Sequence, residues 1–168
     1  MPASADTTTP RSRRLAATGL ALLLLLALLN IFGAVSDLAA IASGGLPADH
    51  TATFTALTGN SFAHAKAATP GIGSYISLLE RGYALHELTF AALFIVLLAI
   101  PFRQRQRWAW WAAWLPMIAN LGYTFTFGAH DHAILARSLI TDIALPVLLL
   151  AHIPAFFRRA PGLTGRSA

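Results

Sequence analysis

The sequence predicts an all-α protein, a bundle of four transmembrane helices with both termini in the cytoplasm. Hydrophobic residues make up 56% of its 168 residues and charged residues only 11%, whereas a soluble domain carries about a quarter charged residues. The mean hydropathy is +0.60, because long apolar runs alternate with short arginine-rich segments. Runs of about 18 or more apolar residues are long enough to cross a bilayer.

The first predicted span is the apolar run 15–38, which lies between a disordered cytoplasmic tail (1–14) and an outer loop (39–73). Ser12-Arg13-Arg14 partly resembles a twin-arginine export signal, and Ala40-Ile41-Ala42 has the small-x-small form of a cleavage site. However, the apolar run exceeds the roughly 7–15 residues of a signal peptide. We therefore expect a helix that is not cleaved.

The second predicted span covers residues 74–100. Ser77-x-x-Glu80 has the form of a capping box at its start, and Thr69-Pro70 is a rival start. Pro101 is expected to end the helix, because proline has no N–H with which to continue the backbone ladder.

The third predicted span covers residues 108–127, the fourth covers 133–153, and a second cytoplasmic tail covers 158–168. Pro116 should disturb the third helix near Ala112. Four tryptophans crowd the start of that helix: Trp108, Trp110, Trp111 and Trp114. Since indole favours the headgroup level of a bilayer, they predict an aromatic belt at one interface.

The distribution of Lys and Arg predicts the orientation. Nine of these residues fall in the two tails and in the segment between the second and third spans, and three fall elsewhere. Cytoplasmic segments of membrane proteins carry the excess of positive charge, so both termini should be inside. The membrane domain (15–157) is then a multi-pass protein of the bacterial cytoplasmic membrane.

A layer of polar residues is predicted in the outer half of the bundle. At a rise of about 1.5 Å per residue, polar groups on all four helices lie roughly 16–24 Å above the inner ends. Buried charges in a membrane are costly and should turn towards one another. Arg137 should pair with Glu87, with Asp142 or Asp37 as the alternative partner. The residues of this layer are Asn30, Asp37, His86, Glu87, Asn120, Tyr123, Arg137 and Asp142.

Histidines on the outer side provide a candidate metal site. His130 and His132 are two apart in a turn, so both could reach one metal ion, with His86, Glu87, Asp131 or Asp37 completing the site. A haem held between His86 and His132 is a further alternative. We expect instead a solvated surface turn with no cofactor, and zinc, copper or haem b are the alternatives. The chain has no cysteine, which excludes disulfides and thiolate ligands.

The segment Arg107-Trp108-Ala109-Trp110-Trp111 follows an arginine-rich loop. In a small four-span protein with both ends inside, it resembles the DoxX-like and related uncharacterised bacterial membrane proteins. The resemblance implies the four-helix layout and no specific chemistry.

Three functions compete at this point. The first is a non-enzymatic bundle that binds lipid or a membrane-protein partner, or serves as an accessory subunit. The second is a proton- or ion-coupled transport element that uses Glu87, Arg137 and Asp142 and would need a homo-oligomer. The third is a metal- or haem-dependent membrane enzyme. We favour the first, with the lipid bilayer as a partner. Nucleic acid is not expected as a partner, because the arginines lie between apolar runs.

The orientation can be tested by labelling single cysteines with an impermeant thiol reagent in intact cells. Ser4→Cys and Ser167→Cys should resist the reagent because both tails are expected inside, and Ser61→Cys in the outer loop should react. Labelling of Ser4→Cys would overturn the predicted topology.

Overall fold

The longest helix, α1, runs from Pro10 to Gly44. A computed structural model describes residues 10–157, so residues 1–9 of the first predicted tail and the whole second tail lie outside the described residues. α1 begins before residue 15 and ends after residue 38, the bounds predicted for the first span. It extends into the stretch that was expected to be a loop.

Every element of the described chain is helical, which confirms the all-α prediction. Three stretches are long and apolar enough to cross a membrane: Arg14–Gly44, Pro70–Phe102 and His132–Phe157. Between and after them come shorter helices. The elements after α1 are α2 (Ala48–Thr58), α3 (Phe62–Ala68), α4 (Pro70–Leu97), a π-helical turn (Leu98–Phe102), α5 (Arg107–Ala112), α6 (Leu115–Phe127), α7 (His132–Ala151) and α8 (Ile153–Phe157).

The predicted third span is divided into α5 and α6. The backbone turns at Ala113 and Trp114, and Pro116 occupies the first turn of α6. Proline cannot donate to the carbonyl group four residues earlier, that of Ala112, so the expected disturbance near Ala112 is confirmed. With 6 residues in α5 and 13 in α6, neither helix alone is long enough to cross a bilayer.

Two predictions about the second span are wrong. Its helix begins at Pro70, the rival start, and Ser77 caps nothing, because its hydroxyl donates to the carbonyl of Gly73 at 3.0 Å inside the helix. Pro101 does not end the helix either. It lies in the π-helical turn, where the N–H of Arg103 bonds to the carbonyl of Leu98 at 3.2 Å, five residues back. This wider ladder accommodates the missing proline N–H.

The outer loop is mostly helical. α2 ends at Gly59, whose φ of 70° is the left-handed conformation that suits a residue without Cβ. α3 is capped by Ser61, whose hydroxyl accepts from the N–H of His64 at 3.2 Å. These local caps explain how a stretch rich in Gly, Pro, Ser and Thr still forms two short helices.

The apolar core lies in the inner half of the bundle, where Leu23, Leu98 and Leu149 are fully buried. Trp110 belongs to this core, since only 5% of it is exposed and its Nε1 donates to the carbonyl of Leu149 at 2.8 Å. The prediction that all four tryptophans form an interfacial belt is therefore wrong for Trp110. Trp108 remains exposed.

A buried histidine ties α1 to the end of α7. In His152, Nδ1 lies 2.7 Å from the carbonyl oxygen of Leu148, and Nε2 lies 3.2 Å from that of Ala16. The ring passes so close to Gly19 that a Cβ added there would come within 2.5 Å of its Cε1. The glycine thus lets the two helices approach.

We expect Gly19→Ala to lower the melting temperature in detergent by several degrees, because overpacking costs about 1–3 kcal/mol. Gly82→Ala is the matched control. A Cβ at Gly82 meets nothing within 4 Å, and alanine favours a helix by roughly 1 kcal/mol over glycine. Removing the ring in Gly19→Ala/His152→Ala should abolish the clash. Equal melting temperatures for Gly19→Ala and Gly82→Ala would contradict this packing.

Candidate functional site

A cavity of about 620 Å³ lies between α1, α4, α6 and α7, and the start of α2 closes its outer end. Its inner wall is apolar, with Leu26, Phe94 and Leu145 among the lining residues. Its outer part is polar and carries more carboxylates than cations. The charged lining residues are Asp37, Asp49, Glu87, Asp131 and Arg137.

The structure brings most of the predicted polar layer to this cavity. Asp37 and Glu87 line it together with Arg137, and so do Asn30, Asn120 and Tyr123. Two members of the predicted layer do not line it. His86 is exposed on the surface of α4, and Asp142 is buried behind the cavity wall.

Asp142 is held by side chains of α6. Its Oδ2 accepts from the hydroxyl of Thr124 at 2.8 Å, and its Oδ1 accepts from the Nδ2 of Asn120. Nδ2 of Asn120 also lies 3.3 Å from the carbonyl oxygen of Ser138. Hydrogen bonds are what make a buried carboxylate tolerable. The cluster therefore joins α6 to α7 instead of presenting Asp142 to the cavity.

The predicted ion pair between Arg137 and Glu87 is wrong. Within residues 14–157 neither forms an ion pair, and Nε of Arg137 donates to the carbonyl of Ala133 in its own helix at 3.3 Å. Glu87 instead faces α1, where its Oε1 lies 3.9 Å from the position of a Cβ on Gly33. Arg137 and Glu87 lie at a similar depth and line the same cavity, but their side chains point in different directions from their helices and do not meet.

The start of α2 is fastened across the outer end of the cavity. The hydroxyl of Tyr123 donates to Oδ2 of Asp49 at 2.6 Å, which attaches α2 to α6. Nδ1 of His50 donates to Oε2 of Glu80 at 2.8 Å, which attaches α2 to α4. The His50 ring also stacks on Phe127, with centroids 4.2 Å apart and planes 6° from parallel. Asp49 therefore serves both as a wall of the cavity and as an attachment point.

The environment of His50 favours its protonated form. Burial alone would lower the pKa of this imidazole, but the hydrogen bond to Glu80 and the charges of Glu80, Asp49 and Asp37 outweigh burial and raise the pKa above its ordinary 6.5. The contribution of protonated His50 to stability is thus complete below about pH 6.5 and is lost as the pH rises through the raised pKa.

Sequence reasoning missed the residues that close the cavity. No role was assigned from the sequence to Asp49, His50 or Tyr83, and Glu80 was interpreted only as part of a helix cap. A weak signal was present, because Asp49 stands two residues after Pro47, and an acidic residue in the first turn after a proline is typical of a helix start.

The structure does not assemble the candidate metal site. His130 and His132 are exposed, as is His86. Asp131 caps α7, since its Oδ1 accepts from the N–H of Ala133 at 2.7 Å and of Ile134 at 3.4 Å. In the part of the chain that the structure describes, no three His, Asp or Glu side chains converge to hold a metal ion. The carboxylate of this turn is instead engaged by the backbone of α7.

No family model matches the chain, and neither a curated protein nor a solved structure matches it. The resemblance to DoxX-like proteins therefore stays a prediction.

Double-mutant cycles should separate the two polar clusters. For Glu87→Gln and Arg137→Gln we expect additive losses of stability, within about 0.5 kcal/mol, because the residues do not touch. For Asn120→Ala and Asp142→Ala we expect a coupling of about 0.5–3 kcal/mol. Chemical denaturation in detergent measures both cycles. A large coupling between Glu87 and Arg137 would restore the ion pair that the structure lacks.

Proposed function

We propose that the chain crosses the bacterial cytoplasmic membrane four times, with α5 and α6 together forming the third crossing along the chain. Contacts along α7 support this. Trp110 meets Leu149, Asn120 meets Asp142, and a Cβ on Gly128 would lie 3.2 Å from Cα of Leu135. α5 and α6 therefore run antiparallel to α7 over a length of roughly 20 Å, at about 1.5 Å per residue.

The exposed side chains of α6 agree with contact to lipid. Ile118 is 70% exposed and Phe125 is 76% exposed, and a lipid-facing helix places such residues outward. The distribution of Lys and Arg supports cytoplasmic termini. α2, α3 and the polar end of the cavity then face the outer side.

We propose that the cavity binds a single lipid-like amphiphile and that the protein is a binding bundle and not an enzyme. The observation that carries this is the polarity of the cavity, whose inner wall is apolar and whose outer part holds carboxylates. Among the described residues, no ion pair or hydrogen bond reaches the carboxylate of Asp37 or Glu87. A volume of about 620 Å³ is that of a typical small-molecule site.

The charges favour a headgroup with an amine and a phosphate. An ammonium group would complement Asp37 and Glu87, and a phosphate would complement the guanidinium of Arg137, a group that suits phosphate well. Phe32 lines the cavity and is 70% exposed, so the cavity reaches the lipid-facing surface of the bundle. An acyl chain could therefore leave the cavity sideways. The transport hypothesis has less support, because Asp142 does not face the cavity.

Native mass spectrometry with two single-chain lipids of the same acyl length tests the proposal. We expect lysophosphatidylethanolamine to bind more tightly than lysophosphatidylglycerol, which lacks the amine. Glu87→Gln should weaken the binding of lysophosphatidylethanolamine about tenfold, which corresponds to a loss of about 1.4 kcal/mol. It should leave the binding of lysophosphatidylglycerol unchanged. Arg137→Gln should weaken the binding of both lipids.

His86→Gln is the matched control, because His86 precedes Glu87 on α4 but does not line the cavity. Equal affinity for the two lipids, or equal effects of Glu87→Gln and His86→Gln, would refute the proposed site.

A further inference from the structure

We propose that α2 is a lid over the headgroup end of the cavity, and that protonated His50 latches it closed against Glu80. This inference rests on the proposed function, because a lid matters only if the cavity holds a ligand. It adds a mode of regulation, in which the outer pH controls access to the site from water.

The first step of the argument is how few contacts hold α2. Only His50 and Thr53 of this helix are buried, and the hydroxyl of Thr53 has no hydrogen-bond partner within the described chain. Two side-chain hydrogen bonds attach the helix to the bundle, those of Asp49 and His50. Both come from its first turn, directly above the cavity.

The second step is the backbone at the two ends of α2. Gly45 precedes the helix with a φ of 92°, and Gly59 follows it with a φ of 70°. Both glycines adopt the left-handed conformation that other residues avoid. A Cβ on Gly59 would meet nothing within 4 Å, whereas one on Gly45 would come within 2.5 Å of Ser77 Oγ. The backbone is thus tightly packed against α4 at the entry of the helix, whereas the turn at its exit is exposed.

The third step is the charge around the latch. The titratable groups that contact His50 or interact with its charge are Glu80, Tyr83 and Glu87 of α4, Asp49 of α2, Asp37 of α1 and Tyr123 of α6. The acidic groups among them all attract an imidazolium. When His50 loses its proton, its Nδ1–H can still donate to the Glu80 carboxylate, but the attraction between the positive imidazolium and the negative carboxylate is lost. The stack on Phe127 also loses its cationic partner.

The direction of the pH effect follows from these contacts. The pKa of His50 is raised by its acidic partners against the opposing effect of burial. The latch is therefore strongest below about pH 6.5 and weakens as the pH rises through the raised value. The ratio of closed to open lid should fall on the order of tenfold for each unit by which pairing raises the pKa.

Spin labels on Ala56→Cys in α2 and Leu78→Cys in α4 measure the lid without any ligand. Both positions are exposed, and the chain has no cysteine of its own. Pulsed electron resonance should give one short distance at pH 6 and a second, longer distance that grows towards pH 9. In His50→Gln the two distances should coexist in proportions that do not change with pH, and in Glu80→Gln the change with pH should be smaller than in the wild type, because His50 still titrates but has lost its partner.

His64→Gln is the control, because His64 is another histidine of the outer segment but is exposed on α3. It should keep the pH dependence of the wild type. An unchanged distance distribution between pH 6 and pH 9, or a pH dependence that survives His50→Gln, would overturn the lid.

Retention of lysophosphatidylethanolamine through gel filtration tests the link to binding. The wild type should retain several-fold more lipid at pH 6 than at pH 9, and His50→Gln should retain equal amounts. If the wild type retains none at either pH, the proposed function fails, and the distances alone decide whether the lid exists. If lipid is retained equally at both pH values, the lid does not control the site.

Discussion

The need to satisfy a buried carboxylate constrains the rest of this bundle. Asp142 lies in the apolar helix α7, and an unpartnered charge at such a depth would be costly. Its partners, Asn120 and Thr124, are one turn apart on α6 and therefore face the same way. This cluster sets α6 against α7 at one rotation, and that rotation also directs Tyr123 towards Asp49. The wall and the closure of the cavity thus depend on how one carboxylate is hydrogen-bonded.

The two halves of the bundle differ in how their interior is packed. In the inner half, apolar side chains such as Leu23 and Leu98 fill the space between helices and leave little room for a ligand. In the outer half, polar side chains point inward but do not fill the space, so a cavity remains. Because polar groups are costly in contact with lipid, directing them inward removes them from the bilayer without requiring dense packing. The site therefore lies where the inward-facing side chains change from purely apolar ones to a mixture of apolar and polar ones.

Much of the candidate site could be predicted from depth alone. The rise of a helix is fixed, so the levels of Asn30, Glu87 and Arg137 follow from their distance to the helix ends. The direction of each side chain around its helix depends on packing between helices, which the sequence does not state, and the pairing of Glu87 with Arg137 failed for that reason. The roles of Asp49 and Glu80 were missed because Asp49 meets Tyr123, and Glu80 meets His50, only after α2 folds back across the bundle. The break before Pro116 was predictable because proline acts locally.

The π-helical turn at Leu98–Phe102 has a consequence for the geometry of the inner end. A π turn holds one residue more than an α turn, so everything after it is rotated by about 100° relative to an uninterrupted helix. Through this turn Phe102 reaches the interior, where its ring lies 5.2 Å from that of His152 and 4.7 Å from that of Phe156. The extra residue therefore changes which side of the helix faces the interior. α4 presents one side to the cavity, and its continuation after the π-helical turn presents another side to the apolar core.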